Sequence, residues 1–178
     1  MGTLKTTNIQ TITGSGTLTL GTSGETLTVP SGVTVGGGMS NTPAFRVTEG
    51  DQILSDNTST KLEFNTVDFD TDSAFSTSTY RFTVPTGKSG KYYFESYISI
   101  PGIDDLELGS NWIRLNDTTN FNIIREHMAG PNQFYRQITS TILNLNEGDF
   151  VEAYAYQNSG GSQTAASLYF SGFKLIGA

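Results

Sequence analysis

Gly90-Lys91-Tyr92-Tyr93-Phe94-Glu95-Ser96-Tyr97-Ile98-Ser99-Ile100 decides how the rest of this chain is read. Alternate side chains of an extended strand point to opposite faces, so Tyr92, Phe94, Ile98 and Ile100 fall on one side and Tyr93, Glu95 and Tyr97 on the other. The first set predicts a core-facing strand. The second puts large rings where a monomer has no core to receive them. Upstream, Tyr80-Arg81-Phe82-Thr83-Val84 alternates in the same way and stops at Pro85, and Thr86-Gly87-Lys88-Ser89-Gly90 has the composition of a hairpin loop. Downstream, strands are expected over 111–115, 121–125, 134–145, 150–156 and 168–176. In the strand from 150, Val151, Ala153 and Ala155 take one face and Tyr154 and Tyr156 the other; the last strand carries Tyr169. No segment has the spacing of an amphipathic helix. Many short strands separated by turn residues specify an all-β antiparallel sandwich or jelly roll.

Composition bounds what such a sandwich does. A chain of 178 residues has room for one domain with a proper core plus an appendage. Its formal charge of −7 argues against a nucleic-acid surface, which needs clustered Lys and Arg. With no cysteine, a disulfide framework and thiolate metal sites are excluded. Met1-Gly2-Thr3-Leu4-Lys5 opens without the apolar stretch of a secretory signal, and no run approaches the roughly 20 apolar residues of a membrane span. A soluble chain without membrane insertion is expected.

The chain has two grammars. From Ile9 to Gly38, very short apolar and Thr alternations are broken by turns, as in Leu18-Thr19-Leu20, Leu27-Thr28-Val29 and Val33-Thr34-Val35. So little apolar area cannot offset the backbone entropy of ordering the segment, roughly 1 to 2 kcal/mol per residue. Three copies wound about one axis would bury Leu18, Leu20, Leu27, Val29, Val33 and Val35 against one another as a β-rich trimeric stalk. The competing reading is a flexible Ser/Thr/Gly-rich linker. Gly36-Gly37-Gly38 marks the boundary, giving a stalk or anchor over 1–38 and a head over 39–178.

Chemistry is sparse. Asp68-Phe69-Asp70-Thr71-Asp72 alternates carboxylates as a calcium loop does, yet Ser73 stands where the turn needs Gly and Thr79 where a bidentate Glu belongs. Asp104, Asp105 and Glu107 form a second acidic group, read as a charged surface loop. His127 is the only histidine, so a multi-histidine zinc site is impossible. Ser and Thr hydroxyls without a placed base make no nucleophile, and neither glycine run is followed by the Lys-Ser/Thr of a phosphate loop. No enzyme activity, metal or cofactor is expected. Trp112, Tyr135 and Arg136 are candidates for a carbohydrate or protein contact, although Trp112 opens an alternating strand and is read first as core. The loops at 116–120, 127–132 and 158–164 are the general binding candidates.

Taken in order, Pro43-Ala44-Phe45, Phe64-Asn65-Thr66-Val67, Tyr80, Phe82 and Pro85, the Gly90, Tyr92 and Phe94 triplet, Gly148-Asp149-Phe150-Val151 and Phe170-Ser171-Gly172-Phe173 resemble the globular head of the C1q and tumour-necrosis-factor-like families. The resemblance runs from about Thr42 to Gly177. It implies a ten-stranded jelly roll that associates as a tight trimer and presents a ligand-binding surface away from its stalk, with calcium near the axis in some members. There is no Gly-X-Y repeat of a collagen stalk. Instead Thr6-Thr7-Asn8-Ile9-Gln10-Thr11-Ile12-Thr13-Gly14-Ser15-Gly16 is similar to the leaders of structural proteins from phages of marine bacteria. The expectation is a non-enzymatic homotrimer on the surface of a virion, with Tyr93, Tyr97, Tyr154, Tyr156 and Tyr169 lining the threefold interface. The N-terminal segment would hold other virion proteins, and the head would bind a host-surface glycan or protein. The alternatives are a capsid decoration or cement protein and, third, a cellular secreted C1q-like lectin, which would call for an export signal.

Overall fold

Alternation of apolar and polar side chains is what builds the two facing sheets of this chain. A computed structural model describes residues 41–103, 107–127 and 129–175; the stalk residues Leu18, Leu20, Leu27, Val29, Val33 and Val35, and also Asp104 and Asp105, lie outside them. The strands in chain order are β1 (Ala44–Glu49), β2 (Gln52–Leu54), β3 (Thr60–Lys61), β4 (Thr66–Asp70), β5 (Phe75–Ser76), β6 (Arg81–Thr83), β7 (Gly90–Ile103), β8 (Leu108–Leu115), β9 (Thr119–His127), β10 (Gln133–Leu145), β11 (Phe150–Gln157), β12 (Gln163–Ala165) and β13 (Ser167–Lys174). The first sheet runs β10-β7-β13-β1-β4 and the second β5-β6-β11-β8-β9, with β3 added to β11 and β2 paired with β12. Every paired strand is antiparallel. The all-β jelly-roll expectation therefore holds.

Tyr92, Phe94, Ile98 and Ile100 are all fully buried between the sheets, as their parity in β7 requires. Around them the core is aromatic: the Phe45 ring lies 5.1 Å from both Phe82 and Phe170, stacked on the first and edge-on to the second. Gly172 on β13 lets this packing close. A Cβ there would stand 2.6 Å from Cδ1 of Phe94 and 2.9 Å from the Tyr93 carbonyl oxygen. Gly109 does the same beneath Tyr135, whose ring atoms would come within 2.4 Å of an added Cβ. Two polar side chains in the core are well matched, while the buried Tyr135 hydroxyl has no partner among the described residues. The Asn111 side chain donates to the Ser96 carbonyl at 3.1 Å, bridging the sheets, and the Gln157 amide donates to the Leu54 and Gly161 carbonyls and accepts from Ser159.

Two expectations change. Tyr80 has φ of 53° and belongs to the preceding turn, so the strand expected from it begins at Arg81. The loop from Pro85 to Gly90 is no hairpin, because β6 and β7 belong to different sheets. It crosses the top of the sandwich and is stitched to the 146–149 turn: Thr86 and the Gly87 N–H both donate to the Glu147 carboxylate, and Ser89 Oγ accepts from the Glu147 N–H at 2.9 Å. The bond from Gly87, then that from Thr86, holds the Glu147 carboxyl below its usual pKa.

Candidate functional site

The outer face of the first sheet carries the rings that the core has no room for. Register sets them in rows across the strands. One row reads Ile138, Tyr97, Tyr169 and Thr48 on β10, β7, β13 and β1; another reads Ile142, Tyr93, Phe173 and Ala44. Directly opposed side chains on one face of antiparallel strands touch, and here Tyr97 stacks on Tyr169 at 5.2 Å and Tyr93 tilts against Phe173 at 5.5 Å. Between the rows Glu95 accepts hydrogen bonds from the hydroxyls of Tyr93 at 2.7 Å and Tyr169 at 2.8 Å. Arg46 lies over the Tyr169 ring, 4.5 Å from its centre, and pairs with Asp68. Burial first and the Glu95 bond second push the Tyr169 phenol up to about 12, while for Tyr93 the Glu95 bond is the leading cause of a rise.

This lattice is fixed and its tyrosines are half-buried, but the apolar side chains beside it are uncovered. Phe134, Ile138 and Ile142 on β10 are 52%, 50% and 60% exposed in the single chain. A contiguous apolar and aromatic face on an acidic chain is the mark of a contact surface.

The five tyrosines singled out from the sequence do not share this face. Tyr93, Tyr97 and Tyr169 do; Tyr154 and Tyr156 lie on β11, on the outer face of the second sheet, where they oppose Trp112 and Ser110 of β8. Period-two parity tells which side of its own strand a residue takes, but not which sheet the strand joins. Trp112 is likewise on that outer face. It is buried there by Tyr154, on which it stacks at 5.8 Å, and it stands outside the core cluster between the sheets. Tyr135 is fully buried in the core, and Arg136 covers the Phe134 ring at 4.5 Å.

The second sheet's outer face also holds a feature that sequence reading missed. Glu152 is fully buried and its Oε1 accepts from Lys61 at 2.8 Å and Arg81 at 3.1 Å, an ion cluster assembled from β11, β3 and β6. Only a polar residue breaking the small apolar run Val151-Glu152-Ala153 hinted at it.

The 68–72 carboxylates considered for calcium are otherwise engaged. Asp70 accepts the backbone N–H groups of Ala74 and Phe75 at 3.0 and 2.8 Å, Asp68 pairs with Arg46, and Asp72 pairs with Lys88 at 3.3 Å. Among the described residues no group of three or more His, Asp or Glu side chains is placed to hold a metal ion.

Known proteins agree with this geometry at the level of fold. The globular domain of zebrafish complement 1qA is similar over 75% of this chain and 98% of its own, with a TM-score of 0.55 at 19% identity. The Eiger TNF of S. frugiperda is similar over 76% of this chain and 93% of its own, with a TM-score of 0.54 at 12% identity. No curated protein matches the chain in sequence. The model of the C1q domain family matches residues 44–175, from the first strand to the residue after the last. This chain is a member of the C1q domain family.

Proposed function

We propose that the chain works as a homotrimer in which sister copies cover the outer face of the first sheet, with Tyr93, Tyr97 and Tyr169 at the contact and Ile138 and Ile142 beside them. The observation that carries this is the ordered lattice of half-buried tyrosines flanked by exposed Ile138, Ile142 and Phe173 on that face. Domains of this family commonly form homotrimers and are generally non-enzymatic, which supports the same reading. Tyr154 and Tyr156, on the other sheet, are left for contacts outside this interface.

The trimer is proposed to be a non-enzymatic head on the surface of a bacteriophage particle, with residues 1–38 as anchor or shaft against other virion proteins. Support for that setting comes from the leader-like Thr6 to Gly16 stretch and from the Leu and Val recurrence at Leu18, Leu20, Leu27, Val29, Val33 and Val35, which three copies would pack together. Three heads on a repetitive host surface gain avidity without strong single-site affinity. Particles assembled without the protein test the role. Lost adsorption with intact capsids supports attachment; normal adsorption with heat-fragile capsids supports the capsid-cement alternative and overturns attachment.

A further inference from the structure

We propose that the second sheet carries a binding pocket for a carboxylate-bearing sugar, on the outer face of β8, β9 and β11. A cavity of about 310 Å³ opens there, with Ser110, Trp112 and Arg114 of β8, Ile123 and Arg125 of β9, and Tyr156 of β11 in its walls.

Three independent observations point to a ligand. First, two wall residues carry buried polar atoms with no partner among the described residues: Nε1 of Trp112, a side chain only 5% exposed, and Oγ of Ser110, 2% exposed. An indole N–H is a donor only, so it calls for an acceptor; Arg81 Nε, Tyr135 Oη and Glu152 Oε2 are also unmatched, but only Trp112 and Ser110 stand in the wall of this cavity. Second, positive charge gathers here on a chain whose net charge is −7. Arg114 lies 4.0 Å over the Tyr154 ring and spends Nε on Asn120, and among the described residues its terminal nitrogens make no salt bridge. Arg125, opposite Ser110, makes no salt bridge among the described residues. Glu152, on the same outer face, is already engaged by Lys61 and Arg81. Third, the walls alternate these donors with Ile123 and the rings of Trp112 and Tyr156.

Arg114 and Arg125 both line this cavity, at positions four residues apart along the ladder, and the planar fork of a guanidinium favours a planar anion such as a carboxylate. The apolar and aromatic walls suit the C–H face of a pyranose, and the neutral donors suit its hydroxyls. An inorganic anion alone would leave most of the cavity unfilled. Asn120 falls in one of the loops marked as binding candidates from the sequence, whereas the Arg114 and Arg125 pair could not be recognised before β8 and β9 were set side by side.

The proposal deepens the host-binding role above by giving its ligand class, and it rests on that role only for its biological setting. Trp112 is the single tryptophan of the chain, so its fluorescence and its indole N–H resonance report this cavity alone. Titration of the full chain with glucuronate or galacturonate should give a saturable change in both signals in the millimolar range, with glucose giving none and inorganic phosphate a weaker one. Arg125 is exposed, so Arg125→Gln should keep the wild-type melting temperature and weaken hexuronate binding at least about tenfold, the loss of one charge-assisted hydrogen bond. No saturable response to either hexuronate, an equal response to glucose, or unchanged affinity in Arg125→Gln would each overturn the proposal. A phosphate response as strong as that of the hexuronates would reduce the site to an anion site and overturn the sugar assignment. Hexuronate binding by a protein whose absence leaves adsorption normal would instead sink the attachment role and leave the pocket standing.

Discussion

Replacing Ile138 and Ile142 together by Ser should turn the trimer into folded monomers. Each isoleucine is already half covered by its own chain, being 50% and 60% exposed, so roughly half of its apolar surface is left for a sister copy to bury. Complete burial of such a side chain is worth about 1.5–3 kcal/mol, which makes the remaining half about 0.8–1.5. Two side chains in each of three copies then contribute about 5–9 kcal/mol to assembly, and their loss raises the trimer-to-monomer dissociation constant about a thousandfold or more. The single chain should hardly notice, since exposed positions change folding stability by only about 0.5 kcal/mol. Sedimentation equilibrium over a dilution series reads the assembly, and circular dichroism melts read the fold. Anything that binds the folded chain makes melting concentration-dependent, so the wild-type melting temperature should climb with concentration and that of the double variant should not. A double variant that keeps the wild-type mass over the same dilutions would refute the reasoning and move the interface away from β10.

Other perturbations probe the fold and the tyrosine lattice. Gly172→Ala should destabilise the head by about 1–3 kcal/mol in urea unfolding, because the Phe94 ring and the Tyr93 carbonyl leave no room for the methyl and a backbone atom cannot swing aside; an unchanged midpoint would contradict it. Glu152→Ala should cost about 2 kcal/mol by stranding Lys61 and Arg81 against the sheet, less than a wholly buried pair because each cation keeps about a quarter of its surface in water. Stability should also fall in alkali. The phenols of Tyr92 and Tyr169 are raised to about 12 in the folded chain, so the unfolded chain gives up these protons first. Their contribution is therefore full below the unfolded pKa near 10 and drains away as pH rises towards 12. Urea midpoints measured across that window, alongside phenolate absorbance, check it; a flat profile would contradict the burial that raises both phenols.

Much of the fold was legible because long strands state their own parity. β7, β10, β11 and β13 alternate over eight residues or more, and Tyr92, Phe94, Ile98, Ile100, Val151 and Phe170 are buried as that alternation requires. Short strands carry no such signal. β2, β3 and β5 have two or three residues each and take their extended form from the neighbours they pair with. The loop from Pro85 to Gly90 misled for a related reason, since Gly and polar residues mark a reversal but not which sheet the chain enters next. At the candidate site, parity put Tyr93 and Tyr97 outside the core. Joining them to Tyr169, Ile138 and Ile142, and parting them from Tyr154 and Tyr156, needed the strand order, a property of long-range pairing. Trp112 was read as core because it is apolar and alternates; it is buried, but by Tyr154 on an outer face.

The central claim is that this chain hides the outer face of its first sheet against copies of itself. Light scattering on the full chain as it elutes from size exclusion at micromolar concentration measures that directly. The account predicts a mass three times the 19.2 kDa of one chain, with Tyr93, Tyr97 and Tyr169 shielded from a soluble quencher of tyrosine emission. A mass of one chain, with those tyrosines open to the quencher, would contradict it.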